Sequence, residues 1–148
     1  ALPAAIGAKL ARPEEEVWVV VGDGGIQMTA AELSTCRHEG IKLNIALINN
    51  DYLGMERQLQ EVYYERRYAA TPLCNPDFVK LAEAHGLVGL RVEHRHQIEE
   101  AVAAARGESS TVVIDFRVEK EDTVFPMVPA GADLHAMIRR PVPVRSLK

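Results

Sequence analysis

Val17-Trp18-Val19-Val20-Val21-Gly22-Asp23-Gly24-Gly25 is the stretch that decides the fold, and Leu43-Asn44-Ile45-Ala46-Leu47-Ile48-Asn49-Asn50 is its counterpart. Each contains an apolar run of the kind that forms a strand buried on both faces, and each breaks at residues suited to a turn. Between Gly22-Asp23-Gly24 and Asn49-Asn50 lie 24 residues, positions 25 to 48. Within that interval Ile26, Ala30, Leu33 and Cys36 share one helical face. Thr29 and Glu32 read as a capping box, and Gly40 is placed to end the helix. A strand, a helix and a strand in this order predict a right-handed crossover between parallel neighbours.

The same alternation continues down the chain. Met55, Leu59, Val62 and Tyr63 form a helical stripe after Gly54. Asn75-Pro76-Asp77 reads as a helix start with Asn75 as the cap, and Phe78, Leu81, Ala82 and His85 as the buried face up to Gly86. A short strand at Leu90-Arg91-Val92, a helix carrying Ile98, Ala101, Val102 and Ala105, and a strong strand at Thr111–Phe116 follow. This rhythm predicts an α/β fold: a three-layer α/β/α sandwich with a mainly parallel sheet, one domain over residues 1–148. Residues 119–148 read as an irregular tail with one short helix near Leu134–Ile138. Ala1–Leu10 reads as a helix entered from an upstream segment, and with no initiator Met the chain is expected to be a fragment of something longer.

Bulk composition narrows the function classes. Hydrophobic residues make up 47% and charged residues 26% of 148, ordinary for a globular domain. A formal charge of −4 argues against a nucleic-acid footprint, and no apolar run reaches membrane-spanning length. Cys36 and Cys74 lie far apart with no CxxC, which indicates neither a disulfide framework nor a zinc site and suits a reducing, cytoplasmic setting.

In open α/β sheets, ligands bind beyond the carboxyl ends of the strands, where Asp23 and Asn50 both fall. An acid and an amide are hard oxygen donors suited to Mg²⁺, which keeps few protein ligands and shares phosphate oxygens. Gly22, Gly24 and Gly25 permit close backbone approach, and helices beginning after Gly25 and near Gly54 would aim free N–H groups at the same anion. Either short piece alone is also what an ordinary turn or loop looks like. Their pairing, each closing a strand, is what points to a metal–diphosphate clamp. There is no GxGxxG and no GK[ST], so neither a dinucleotide fingerprint nor a Walker loop is present.

Gly22-Asp23-Gly24 and Asn49-Asn50 at this spacing resemble the thiamine-diphosphate signature of enzymes that decarboxylate and ligate 2-oxo acids. Ile26-Gln27-Met28-Thr29, Tyr52-Leu53-Gly54-Met55, Tyr64–Tyr68, Asn75-Pro76-Asp77-Phe78 and the tail Val124–Ala132 resemble the catalytic subunit of acetolactate synthase, specifically its carboxy-terminal domain. The resemblance implies Asp23, Asn50 and the Tyr52 carbonyl as ligands of Mg²⁺. It puts Gly22, Gly24, Gly25, Leu53 and Gly54 along the diphosphate, and Met55 near the thiazolium and the substrate. Leu59 stands where the family usually has a substrate-channel Trp, and Gly25 where it often has Ser. The implied cofactors are thiamine diphosphate and Mg²⁺, with FAD in the full-length enzyme. The implied partners are pyruvate and 2-oxobutyrate, a homodimer or tetramer, and a regulatory small subunit. The cofactor-activating Glu is expected in another domain, so no catalytic residue is assigned here and the isolated 148 residues are expected to be inactive. Other thiamine-diphosphate enzymes (pyruvate oxidase, glyoxylate carboligase, 2-oxo acid decarboxylase) are the near alternatives. A Mg²⁺-binding receiver-type signalling domain is the remote one, lacking here its acidic pair and its strand-end Lys.

Overall fold

In the computed structural model, which describes residues 1–120 and 123–140, four parallel strands make one sheet. They are β1 (Trp18–Gly22), β2 (Asn44–Asn49), β3 (Val88–Val92) and β4 (Val112–Arg117), in the order β1-β2-β4-β3. Six helices accompany them: α1 (Leu2–Ala11), α2 (Asp23–Gln27), α3 (Glu32–His38), α4 (Gly54–Tyr63), α5 (Phe78–Ala84) and α6 (Ile98–Gly107). Parallel neighbours cannot be joined by tight turns, so each connection crosses over through helix. Gly22 lies opposite Ile48, and Asn49 opposite Arg117, so β1, β2 and β4 end at one level and form a common rim.

Side-chain alternation divides the core between the two faces. Val19, Val21, Ile45, Leu47 and Val113 pack with Leu2, Ile26, Leu33, Cys36 and Phe78 from α1, α2, α3 and α5. Val92, Val112 and Ile114 pack with Ala105 and Ala101 of α6 on the other face. Helices on both faces are the three layers expected from the sequence. Gly89 sets how closely α5 approaches: a Cβ there would stand 2.6 Å from the Val79 carbonyl oxygen, so no larger residue fits without moving the helix.

Several local expectations are corrected. β1 is buried on one face only, because α6 covers β3 and β4 but leaves Val20 71% exposed. The helix expected through Ile26–Cys36 is two helices joined by turns. Thr29 and Glu32 do not form a capping box, because backbone bonds from Thr29 N to Ile26 O and from Glu32 N to Thr29 O already satisfy those two amides. The Thr29 hydroxyl is left buried and unpartnered, and Glu32 accepts instead from the Thr35 hydroxyl at 2.8 Å. The cap of α5 is Asp77, which accepts from the N–H groups of Val79 and Lys80, and not Asn75. Part of the tail expected at 119–148, positions 121–122 and 141–148, lies outside the described residues. The rest has one short 3-10 turn, Leu134–Ala136.

Candidate functional site

The rim is built around Asp23, which follows β1 directly and opens α2. The residue is only 2% exposed. One oxygen accepts from Gly24 N at 3.0 Å, and the other from Asp51 N at 2.8 Å and Asn75 Nδ2 at 2.7 Å. All three donors are neutral amides, and among the described residues no Lys, Arg or His pairs with it. A buried carboxylate normally has a cation beside it, from a side chain or a metal.

Asp23 reaches the end of β2 through that Asp51 N–H. There the two adjacent Asn residues turn opposite ways. Asn49 points inward, its Nδ2 donating to Asp115 Oδ1 at 2.8 Å and its Oδ1 accepting from Asn75. Asn50 stays at the rim, its Oδ1 accepting from Tyr52 N at 3.1 Å, which leaves that oxygen a second lone pair. The loop is tied down by Leu73 N donating to Asp51 O, Leu53 N donating to Thr71 O and a bridge between Tyr52 and Pro72. α4 then starts at Gly54 with no side-chain cap, so its first N–H groups remain available beside Asn50.

The glycines have a packing role as well. A Cβ on Gly24 would stand 2.6 Å from Leu53 Cδ2, and one on Gly25 would stand 3.3 Å from Val21 Cγ2. Gly24 therefore lets Leu53 seat against the start of α2. A Cβ on Gly54 would meet Asn50 Nδ2 at 3.4 Å, so that turn is also tight. Gly22 has no neighbour nearer than Ile48 O at 4.0 Å.

Around this centre lies a ring of paired charges lining a cleft of about 420 Å³. Arg117 holds Asp51 with two nitrogens, at 2.6 and 3.3 Å, and Lys120 adds a third contact at 3.2 Å. Arg91 bridges Asp77 at 2.6 Å and buried Asp115 at 3.3 Å. Burial pushes the Asp51 carboxyl up, but the Arg117 and Lys120 contacts outweigh it and hold the group below the ordinary range. Asp77 is lowered chiefly by the Lys80 N–H, despite desolvation, with Arg91 assisting. These cations are engaged with Asp51, Asp77 and Asp115 and leave Asp23 without one.

α4 departs from its expected orientation. Met55, Leu59, Val62 and Tyr63 face solvent, with Met55 52% exposed, while Arg57 and Gln58 are 7% and 2% exposed. The neighbours explain the reversal. Gln58 accepts from Val124 N at 2.9 Å and donates to Val124 O at 2.8 Å, as a strand would, and also contacts Met127 Sδ at 3.3 Å. The Arg57 guanidinium lies over the rings of Tyr52 and Tyr68, at 5.1 and 4.8 Å. Irregular backbone beneath the helix requires polar partners, so the polar face goes in. Outside, Leu59, Tyr64, Arg67 and Ala69 line an open cavity of about 600 Å³.

Asp23, Asn50, Tyr52, Leu53 and Gly54 thus gather at one rim, with Met55 and Leu59 on the outward face of the adjoining helix. Reading the sequence missed Asn75, Asp51 and Asp115, and gave Asn49 of the motif no role of its own, although the four hold the rim together. As the expected helix cap Asn75 is displaced by Asp77, two positions later, which frees its amide for the rim. Among the described residues no three His, Cys, Asp or Glu side chains gather to hold a metal, and the expected ligand set contains only one such side chain. No helix among them is long and apolar enough to cross a membrane.

Residues 1–116 match the family described as "Thiamine pyrophosphate enzyme, C-terminal TPP binding domain". The chain is 52% identical over 138 residues to an acetolactate synthase of Mycobacterium leprae, covering 89% of this chain and 22% of that protein. It is 41% identical over 137 residues to the mitochondrial acetolactate synthase catalytic subunit of Saccharomyces cerevisiae, covering 93% of this chain and 20% of that one. The chain therefore spans about a fifth of the length of these curated relatives. Among solved structures it is similar to the thiamine diphosphate-dependent 4-hydroxybenzoylformate decarboxylase of Rhodococcus jostii RHA1. The TM-score is 0.76 at 27% identity, over 82% of this chain and 23% of that one.

Proposed function

The chain belongs to the family of C-terminal thiamine pyrophosphate-binding domains of thiamine pyrophosphate enzymes, and from that premise we propose that it is the Mg²⁺- and diphosphate-holding domain of an acetolactate synthase. The observation that carries the Mg²⁺ reading is the buried Asp23 carboxylate without a cationic partner, bonded into the loop that bears Asn50. Asp23 supplies the charged ligand, while Asn50 Oδ1 and the Tyr52 carbonyl supply neutral ones. A site with one carboxylate suits Mg²⁺ shared with a diphosphate better than a closed protein cage. The uncapped start of α4 at Gly54 offers backbone donors to the anion, with Gly22, Gly24, Gly25 and Leu53 lining its approach.

Thiamine diphosphate, when bound, supplies the electron sink that lets a 2-oxo acid lose carbon dioxide. The part of this chain is to bind, orient and shield. Met55 and Leu59, on the exposed face of α4, are assigned to the wall of the substrate channel, where apolar bulk keeps water out. Pyruvate is the proposed donor, and pyruvate or 2-oxobutyrate the acceptor. The remaining features (FAD, a regulatory small subunit, assembly as a dimer or tetramer, a cytoplasmic location) belong to the same proposal for the whole protein. Membership of this family leaves the receiver-type alternative without support.

The test is product analysis of the intact protein that carries this chain, given pyruvate, thiamine diphosphate and Mg²⁺. Acetolactate is expected; acetaldehyde or acetyl phosphate would assign it to a sister enzyme. The isolated 148 residues should bind Mg²⁺ and diphosphate weakly and make no acetolactate, because the activating carboxylate is expected elsewhere.

A further inference from the structure

We propose that Asp51 is a positioning residue: anchored by Arg117 and Lys120, it fixes the left-handed turn that presents Asn50 and the Tyr52 carbonyl to the cation. This rests on the Mg²⁺–diphosphate reading above and extends it to a residue outside the ligand set.

Asp51 has φ +59°. Residues other than glycine persist in that conformation only where their surroundings over-determine it. Here every polar group of Asp51 has a partner. Its N–H donates to Asp23 Oδ2 at 2.8 Å and its carbonyl accepts from Leu73 N at 2.8 Å. Its carboxylate takes both Arg117 nitrogens, Lys120 Nζ and Asn75 Nδ2. A two-pronged guanidinium–carboxylate pair fixes direction as well as distance. Arg117 ends β4 directly opposite Asn49 in the strand register, so the pair fastens the loop to the sheet.

The consequence for the ligands is geometric. Asn50 and Tyr52 flank Asp51, so its φ and ψ set how Asn50 Oδ1 and the Tyr52 carbonyl stand relative to each other. The same residue's N–H holds one oxygen of Asp23. Releasing the side chain frees the turn to relax towards φ below zero, which separates all three oxygens at once. Groups that orient metal ligands from outside the coordination sphere typically change metal affinity about 10- to 100-fold when removed.

The experiment measures Mn²⁺ binding in the presence of thiamine diphosphate by electron paramagnetic resonance of free Mn²⁺, using the intact protein that carries this chain. Arg117→Gln is expected to weaken Mn²⁺ binding about tenfold, and Arg117→Lys to recover part of the loss. In an Asp51→Gly background, Arg117→Gln is expected to have no further effect, because Arg117 acts only through Asp51. Unchanged affinity in Arg117→Gln, or the same tenfold loss with Asp51→Gly already in place, overturns the inference. Should Arg117→Gln fail to fold, Asp51→Asn keeps the left-handed tendency and loses the charge. It is expected to weaken Mn²⁺ binding, and unchanged affinity there also overturns the inference. If the wild-type protein binds no Mn²⁺ with thiamine diphosphate, the cofactor reading itself fails and this inference with it.

Discussion

Helices α4 and α5 carry apolar residues at similar spacings and use them in opposite ways. α5 presses Phe78 and Ala82 onto β3 and β4, where Gly89 lets it come close. α4 turns Met55, Leu59, Val62 and Tyr63 outward and sets Arg57 and Gln58 against the chain below. The difference lies in what each helix covers. Under α5 the strands have already paired their backbone groups, so an apolar surface is what remains to be covered. Under α4 lies irregular backbone around Tyr52 and Val124, whose N–H and C=O groups need partners. Helical periodicity thus finds a face without saying what lies against it.

Core truncation should separate the two helices most clearly. Phe78→Ala is expected to cost about 3–5 kcal/mol in denaturant unfolding, whereas Leu59→Ala should stay within about 0.5 kcal/mol. Comparable losses would mean that α4's outer face is core after all. A smaller effect is expected from Gln58→Leu, which leaves Val124 N–H and C=O unpaired at about 1–3 kcal/mol and speeds hydrogen exchange at the Val124 amide. A gain in stability from that change would undo the explanation given for the reversal of α4. The least effect should come from Asp77→Asn at the start of α5. The folded-state pKa of Asp77 is lowered, so the carboxylate's contribution is present above its unfolded pKa and disappears as pH falls through the folded one. The melting temperatures of wild type and Asp77→Asn should differ at neutral pH and converge in acid; a constant gap would rule out that role.

These contrasts also show what the chain made legible. β1, β2 and β4 could be read because short, strongly apolar runs ending at Gly22, Asn49 and Phe116, each bounded by turn residues or charge, admit few other structures. Asp23 and Asn50 could be read because both close strands, and parallel topology brings strand ends to one rim. Asn75 could not, since a residue before proline is extended whether it caps a helix or not, and only the fold shows that Phe78 begins α5. Thr29 misled because its capping function was taken over by backbone bonds between successive turns. Asp51 offered tolerance of a left-handed turn, but its pairing with Arg117 spans positions 66 residues apart and follows from topology alone.

On the proposed function, the Asp23 carboxylate, which lacks a cationic side chain, and the amide of Asn50 share one cation at the sheet's carboxyl edge. Anomalous diffraction from crystals of the intact protein soaked with Mn²⁺ and thiamine diphosphate tests it directly. One metal peak is expected at coordination distance, roughly 2.0–2.3 Å, from an oxygen of Asp23, from Asn50 Oδ1 and from the Tyr52 carbonyl. A bound cofactor whose metal peak lies away from Asp23 would contradict it.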